Sequence, residues 1–325
     1  MAGYLRSLRR RVLTPNVAET KLGTRGFHVK DQASQELLET VGASFLAGYG
    51  HAVEATSPSA AEERLEEIAV RFRGFAYEGA AMGFTVLDAL PVGGSRRLAG
   101  FLAGRGSAHI YMVYVGIGWA MARLPKFRWS RLQAPDPLLR WLVLDGYGFH
   151  QAYFHTEEYV HRQHQDARLR WPADDPHGYA GHAIDQGIGR AMWFVAGTDA
   201  GLTGDLIERF PEERRSDLYA GAGLAATYAG GADAEELRAF ADRAGPHRAM
   251  VAQGSAFAAK ARIRAGLLVP HVELATEVLC GLPAELAAKV CDDVRPDAAD
   301  GRSYPAYELW RRRIAGELVA AGGLQ

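Results

Sequence analysis

Apolar residues recur three and four positions apart through most of the chain, the spacing of one face of an α-helix. Leu37, Leu38, Val41, Phe45, Leu46 and Tyr49 keep this spacing, as do Leu65, Ile68, Ala69 and Phe72, and later Leu237, Phe240 and Ala241. Ser59-Ala-Ala-Glu62 precedes the second group and Asp233-Ala-Glu-Glu236 the third. Each has the form of a capping box, in which the first side chain and the fourth satisfy each other's backbone N–H groups. Pro137, Pro211, Pro246, Pro270 and Pro283 stand where first helical turns are expected. Gly74, Gly230-Gly231, Gly266 and Gly281 follow helical runs, where a stop is expected. Breaks fall at 55–58, 91–94, 171–178 and 295–305.

Two glycine-bearing patterns alternate along this helical background. One contains Glu78-Gly79, Asp145-Gly146-Tyr-Gly148 and Ala220-Gly221-Ala-Gly223. The other reads Gly116-Ile-Gly118-Trp-Ala-Met121, Gly187-Ile-Gly189-Arg-Ala-Met192 and Gly254-Ser-Ala256-Phe-Ala-Ala259. Recurrence at about 70 residues marks a repeat architecture. Three units are read, roughly 60–129, 130–202 and 203–273, with a partial fourth reaching a C-terminal helix near Tyr307–Val319. Residues 109–115 have strand-like propensity, but their equivalents in the other units look helical, so they too are assigned to helix. The expected fold is all-α, with helical hairpins stacked in a solenoid or toroid. Residues 1–32 form a basic N-terminal arm and 33–325 a single all-α repeat domain. Glycine costs about 1 kcal/mol per helical site, so its repeated use implies either close helix packing or room for a ligand beside the backbone.

Composition narrows the functional classes. Lys and Arg number 37 against 38 Asp and Glu, a formal charge of −1 that argues against a dedicated nucleic-acid binder. The two cysteines, Cys280 and Cys291, cannot make a disulfide scaffold or a cysteine-only zinc site, and suit inert thiols in a cytoplasmic protein. The longest apolar run, Ile110 to Ala122, is too short to cross a bilayer. The basic, amphipathic start contains Arg6 and Arg9-Arg10-Arg11; it suits either a solvated or swapped terminal helix or one resting on a membrane or membrane protein. Dinucleotide, phosphate-loop and nucleophile-elbow motifs are missing.

Candidate chemistry lies near the repeat glycines. Glu78, Asp145 and Asp185 each stand just before one, in otherwise apolar sequence. A carboxyl desolvated there has a raised pKa and can act as a general acid; alternatively Arg190 or Tyr147 pairs with it. Six of the eleven histidines, His150, His155, His161, His164, His177 and His182, fall within 33 residues. His150 and His155 are candidates for proton transfer. Glu158-x-x-His161 is half of a di-iron motif, but no second such pair occurs, so no metal site is assigned. Tyr77, Tyr114, Trp119, Tyr147, Phe149 and Trp193 are the aromatic candidates for lining an elongated apolar pocket.

The segments Arg73-Gly-Phe-Ala-Tyr-Glu-Gly-Ala-Ala-Met82, Asp145-Gly-Tyr-Gly-Phe-His150 and Gly187-Ile-Gly-Arg-Ala-Met-Trp193 resemble a bacterial family of unknown function encoded in enediyne polyketide gene clusters. The resemblance covers nearly the whole chain, including Gly26-Phe-His-Val-Lys30. It implies an accessory or maturation role in polyketide biosynthesis, in which the protein binds and could convert a linear apolar polyene. It implies no cofactor and carries over no catalytic residue; biosynthetic proteins, one a membrane protein, are implied partners. On this reading Glu78, Asp145, Asp185 and His150 take the acid–base or positioning roles. The alternative is a non-catalytic helical scaffold that docks a membrane or biosynthetic partner, with Arg9–Arg11 at the contact.

Overall fold

The computed structural model describes residues 9–11, 13–90, 96–166, 169, 171, 175, 178–297 and 304–321. His177 and the expected break at 91–94 lie outside them. Among the described residues the secondary structure is helical, with no strand. Residues 110–115 open a helix with His109 at its N-cap, as the internal repeat implied.

Two sets of helices alternate along the chain. The inner set is α1 (Gln32–Glu54), α3 (Val70–Ala89), α5 (Ile110–Arg123), α6 (Trp141–Phe154), α7 (Ala180–Val195), α9 (Glu212–Ala229) and α11 (Arg248–Arg264). The shorter helices α2 (Pro58–Glu66), α4 (Arg97–Ala103), α8 (Ala200–Glu208), α10 (Ala234–Arg243) and α12 (Pro270–Leu279) connect them on the outside. α13 (Ala284–Asp293) and α14 (Ala306–Ala320) pack on α11 at the end of the row. Each inner helix packs against the inner helix before it and the one after it.

The alternating glycines make these crossings. A Cβ on Gly79 of α3 would fall 1.9 Å from the Phe45 carbonyl oxygen of α1, and one on Gly48 of α1 would fall 1.9 Å from Ala76 O of α3. Gly118 and Gly146 meet Val143 O and Val115 O at 2.0 Å across α5–α6. Gly148 and Gly187 join α6 to α7, Gly189 and Gly221 join α7 to α9, and Gly223 and Gly254 join α9 to α11 in the same way. Residues two apart on an α-helix point about 200° apart. The Gly-x-Gly pattern therefore gives one helix a bare flank on each side, one for each neighbour. Close packing is the reason for these glycines, because the space beside them is filled by the next backbone. The step is one inner helix, about half of the 70-residue unit.

Local signals fare unevenly. Asp233 and Glu236 form the expected capping box, and Asp31 caps α1 by accepting from Ser34 N at 2.7 Å. The cap of α2 is Ser57, which accepts from Ala60 N at 3.2 Å, rather than Ser59. Pro58, pre-set for a first turn, starts that helix one position after Ser57. Glu62 is then free of a capping role and accepts from Gly106 N instead. Gly230 and Gly266 have φ of +81° and +66°, the left-handed region that ends helices. Gly74 does not end one; it lies inside α3 under the Tyr228 hydroxyl, 2.0 Å from where its Cβ would be. Cys280 and Cys291 are buried free thiols, and burial pushes the Cys280 pKa up to about 12.

Helices distant in the row meet across a shared interior. Phe75 of α3 packs edge-on to Tyr228 of α9, and Arg262 of α11 lies 4.1 Å over the Tyr228 ring. The N-terminal segment lies against the same body: Leu22 and Phe27 are buried, His28 N donates to Val195 O, and Lys30 pairs with Glu236.

Candidate functional site

A cavity lies between α1, α3, α5, α6 and α7, and the last three contribute residues from their C-terminal halves. Leu38, Val41 and Phe45 from α1, Phe75 and Met82 from α3, and Trp119, Phe149 and Phe194 supply apolar walls. Pro15, Glu19 and Thr20 of the N-terminal segment cover it, and Arg123 stands at its mouth. About 60 Å³ of it admits the centre of a water molecule, and its empty space, counted out into solvent, is about 700 Å³.

Besides Glu19, Thr20 and Arg123, three buried polar side chains from the inner helices line this space. Glu78 is 3% exposed and makes no hydrogen bond to another described residue. Burial raises its pKa to about 7, against the pull of Arg190; the Asp145 charge adds to the rise. The Trp119 indole N–H is near enough to oppose the rise slightly, yet it forms no hydrogen bond. His150 is buried, its Nδ1 lies 3.2 Å from Gln151 Oε1, and its Nε2 has no partner. Burial lowers its pKa to about 3, so the imidazole is neutral across the physiological range. Arg190 is the third, and it forms a buried ion pair with Asp145. Burial works against the Arg190 charge, but Asp145 and Glu78 together outweigh it and hold its pKa up.

Arg190 and Asp145 also line a second, smaller cavity of about 30 Å³ between α5, α6, α7, α9, α11 and α14, with Tyr111, Tyr228, Phe257 and Trp310. Arg190 thus stands between two apolar spaces. Asp145 holds it from one side, and the unbonded Glu78 carboxyl faces the larger space.

The fold brings Glu78, His150, Trp119 and Phe149 together, with Asp145 behind them as the partner of Arg190. The other candidates lie elsewhere. Asp185 is buried but accepts from Arg214 at 2.6 and 2.9 Å. Tyr77 donates to Glu66 at 2.7 Å and stacks on His109. Tyr114 accepts from Asp136 N, Tyr147 donates to Asp166, and Trp193 donates to Gly230 O. These five are held in place by structural partners and do not line the larger cavity. Phe45, Phe75, Met82 and Phe194 also line it; Phe194 is one of the aromatics near the repeat glycines, and Phe45 belongs to a group whose helical spacing marks it only as core. Glu157, Glu158 and His161 are exposed on a wide turn after α6, and no metal-binding group of three or more His, Cys, Asp or Glu side chains occurs among the described residues.

This arrangement is electrically economical. Asp145 and Arg190 neutralise each other, His150 is uncharged, and Glu78 is protonated below a pH of about 7. An apolar interior containing one protonated carboxyl can hold a neutral hydrophobic molecule and hand it a proton.

No curated protein and no solved structure matches this chain. Residues 4–318 match the family model described as protein of unknown function (DUF1702), and the chain belongs to that family.

Proposed function

We propose that the protein is an accessory factor of polyketide-type biosynthesis, of the enediyne kind that the sequence resemblance implies. It binds a linear, apolar polyene in the larger cavity and donates a proton to it from Glu78. The observation that carries this reading is Glu78: a buried carboxyl with no hydrogen bond to another described residue, lining an aromatic cavity. Burying such a group unpaired has a cost, and proton transfer to a bound molecule is a use for it.

In the proposed step the Glu78 O–H bond breaks and a C–H bond forms at one polyene carbon. The faces of Trp119, Phe149 and Phe75 stabilise the resulting cation. A neighbouring carbon then returns a proton to the Glu78 carboxylate, which Arg190 stabilises meanwhile. The net change is an isomerisation or ring closure and needs no oxidant. Ligand pockets commonly span about 300–1,000 Å³, so the polyene extends from the inner part towards the mouth and displaces residues 15–20. We also read the row of inner helices as the repeat arc, solenoid or toroid, that the glycine periodicity implies.

The test is to mix the purified chain with a linear conjugated polyene at pH 6 and follow Trp fluorescence and polyene absorbance. Quenching with a progressive absorbance change, the change lost in Glu78→Gln while quenching persists, supports the reading. Conversion at the same rate in both proteins sinks the catalytic part, and absence of quenching sinks the binding part.

The small space open to a water-sized centre, about 60 Å³, favours a second reading, a non-catalytic scaffold for a biosynthetic partner. Arg9 and Arg10 are already engaged with the α1 terminus at Val53 O and Glu54, which leaves Arg11 exposed for such a contact. A partner complex that survives Glu78→Gln and is lost on Arg11→Gln would favour that reading.

A further inference from the structure

The chain leaves α5 through Leu124-Pro-Lys-Phe-Arg-Trp-Ser-Arg131 and folds Lys126–Arg131 into a tight turn. Trp129 is buried, and its Nε1 donates to Met121 O at 3.0 Å and to Leu124 O at 3.2 Å, both carbonyls at the end of α5. That anchor fixes the turn and leaves Phe127 outside. At 75% exposure Phe127 is the most exposed large apolar side chain among the described residues. A lone exposed phenylalanine is ordinary; its neighbours set this one apart. Arg123, Lys126, Arg128 and Arg131 lie within nine residues that contain no acid. None of the four has an acidic partner among the described residues. Arg128 lies 5.3 Å over the Phe127 ring and Lys126 lies 5.8 Å over Trp129, so cations and rings share one patch. The chain as a whole carries a formal charge of −1, and the patch is a local departure from that balance.

We propose that this turn, with Arg123, docks the protein on an anionic phospholipid bilayer. Cations next to an anionic leaflet gain from its surface potential, and an aromatic side chain among them enters the boundary between headgroups and acyl chains. The place of the patch favours a bilayer over an acidic protein. Arg123 lines the mouth of the apolar cavity, and four residues of chain reach at most about 14 Å. The Phe127 backbone therefore lies within that distance of the Arg123 backbone, and docking there sets the lipid, where apolar molecules concentrate, beside a residue that lines the cavity. No helix among the described residues is long and apolar enough to cross a membrane, so the contact is peripheral. The docking stands apart from the Glu78 chemistry and is tested without any substrate.

The experiment is co-sedimentation of the full chain with large vesicles of phosphatidylcholine alone, or with roughly one-third phosphatidylglycerol, at low and high salt. The expected result is binding to the anionic vesicles only, weakened by salt. Lys126→Gln/Arg128→Gln/Arg131→Gln should lower the partition by roughly a hundredfold at low salt, and Phe127→Ser by roughly tenfold. These side chains lie at the surface, and circular dichroism and thermal unfolding of both variants verify that the fold is kept. Equal binding to neutral vesicles, absence of binding at low salt, or variants that bind like the parent would overturn the proposal. So would capture by a soluble polyanion together with failure to bind vesicles.

Discussion

Replacing Glu78 by glutamine keeps the size of the side chain and removes its titration. In the unfolded chain this carboxyl has a pKa near 4.5; in the folded protein burial raises it to about 7. Between those values the unfolded state gives up its proton first. The group's contribution is therefore favourable at low pH and is lost as pH rises, the reverse of a salt-bridged carboxylate. At about 1.36 kcal/mol for each pH unit between the two pKa values, the whole effect is about 3 kcal/mol. About 2.5 kcal/mol of it falls between pH 5 and pH 8. Urea unfolding of the parent and of Glu78→Gln at both pH values gives a double difference in which titrating groups not coupled to Glu78 cancel, including the depressed histidines His109, His150 and His271. The parent should lose about 2.5 kcal/mol more than the variant on going from pH 5 to pH 8. Parallel pH dependence, within about 0.5 kcal/mol, would mean that Glu78 titrates like an exposed carboxylate, and the proton-donor role would go with it.

Asp145→Asn should cost about 3–5 kcal/mol, because it strips the buried Arg190 of its ion-pair partner. It should also move the Glu78-dependent loss of stability to lower pH, since the Asp145 charge helps to hold Glu78 protonated; denaturant unfolding across pH reads both effects. Gly221→Ala should destabilise by about 3 kcal/mol or more, since its Cβ would fall 1.9 Å from Gln186 O, whereas Gly316→Ala, with nothing within 4 Å, should stabilise α14 by up to about 1 kcal/mol. Equal effects in thermal melts would refute the role given to the inner-row glycines. Ser57→Ala should cost about 1 kcal/mol and Ser59→Ala almost nothing, if Ser57 is the true cap of α2; the reverse order would restore Ser59.

Much of the architecture is legible in the chain because its strongest regularity is also its assembly rule. The paired glycines mark the inner helices, and their spacing follows from each helix having two neighbours. What the glycines do not reveal is which side chains end at the same void. Glu78 and His150 stand 72 positions apart, yet α3 and α6 converge on one cavity. Asp185 has the same local setting as Glu78, an acid before a glycine in apolar sequence, but α9 supplies Arg214 against it. Local sequence cannot tell those two acids apart, because the deciding partner comes from another helix. The aromatic candidates divide for the same reason: Trp119 and Phe149 line the larger cavity, and Tyr77, Tyr114, Tyr147 and Trp193 do not. Trp119 and Trp193 hold equivalent places after Gly118 and Gly189, but the Trp193 N–H finds a carbonyl at Gly230 while that of Trp119 finds none. The caps are the reverse case, since Asp233 and Glu236 find each other within one turn and need nothing from the rest of the molecule.

The glycine crossings separate two kinds of inheritance. Neighbouring inner helices meet main chain to main chain, so how they assemble depends on the absence of side chains at a few positions. The groups that give each cavity its character project from other positions on the same helices. A lineage could therefore exchange Phe149, Phe194 or Met82 for other apolar residues and reshape the interior without disturbing how the helices meet. Such a frame can keep its form through generations of changing contents, and two descendants of one ancestor could share every crossing while accepting quite different molecules.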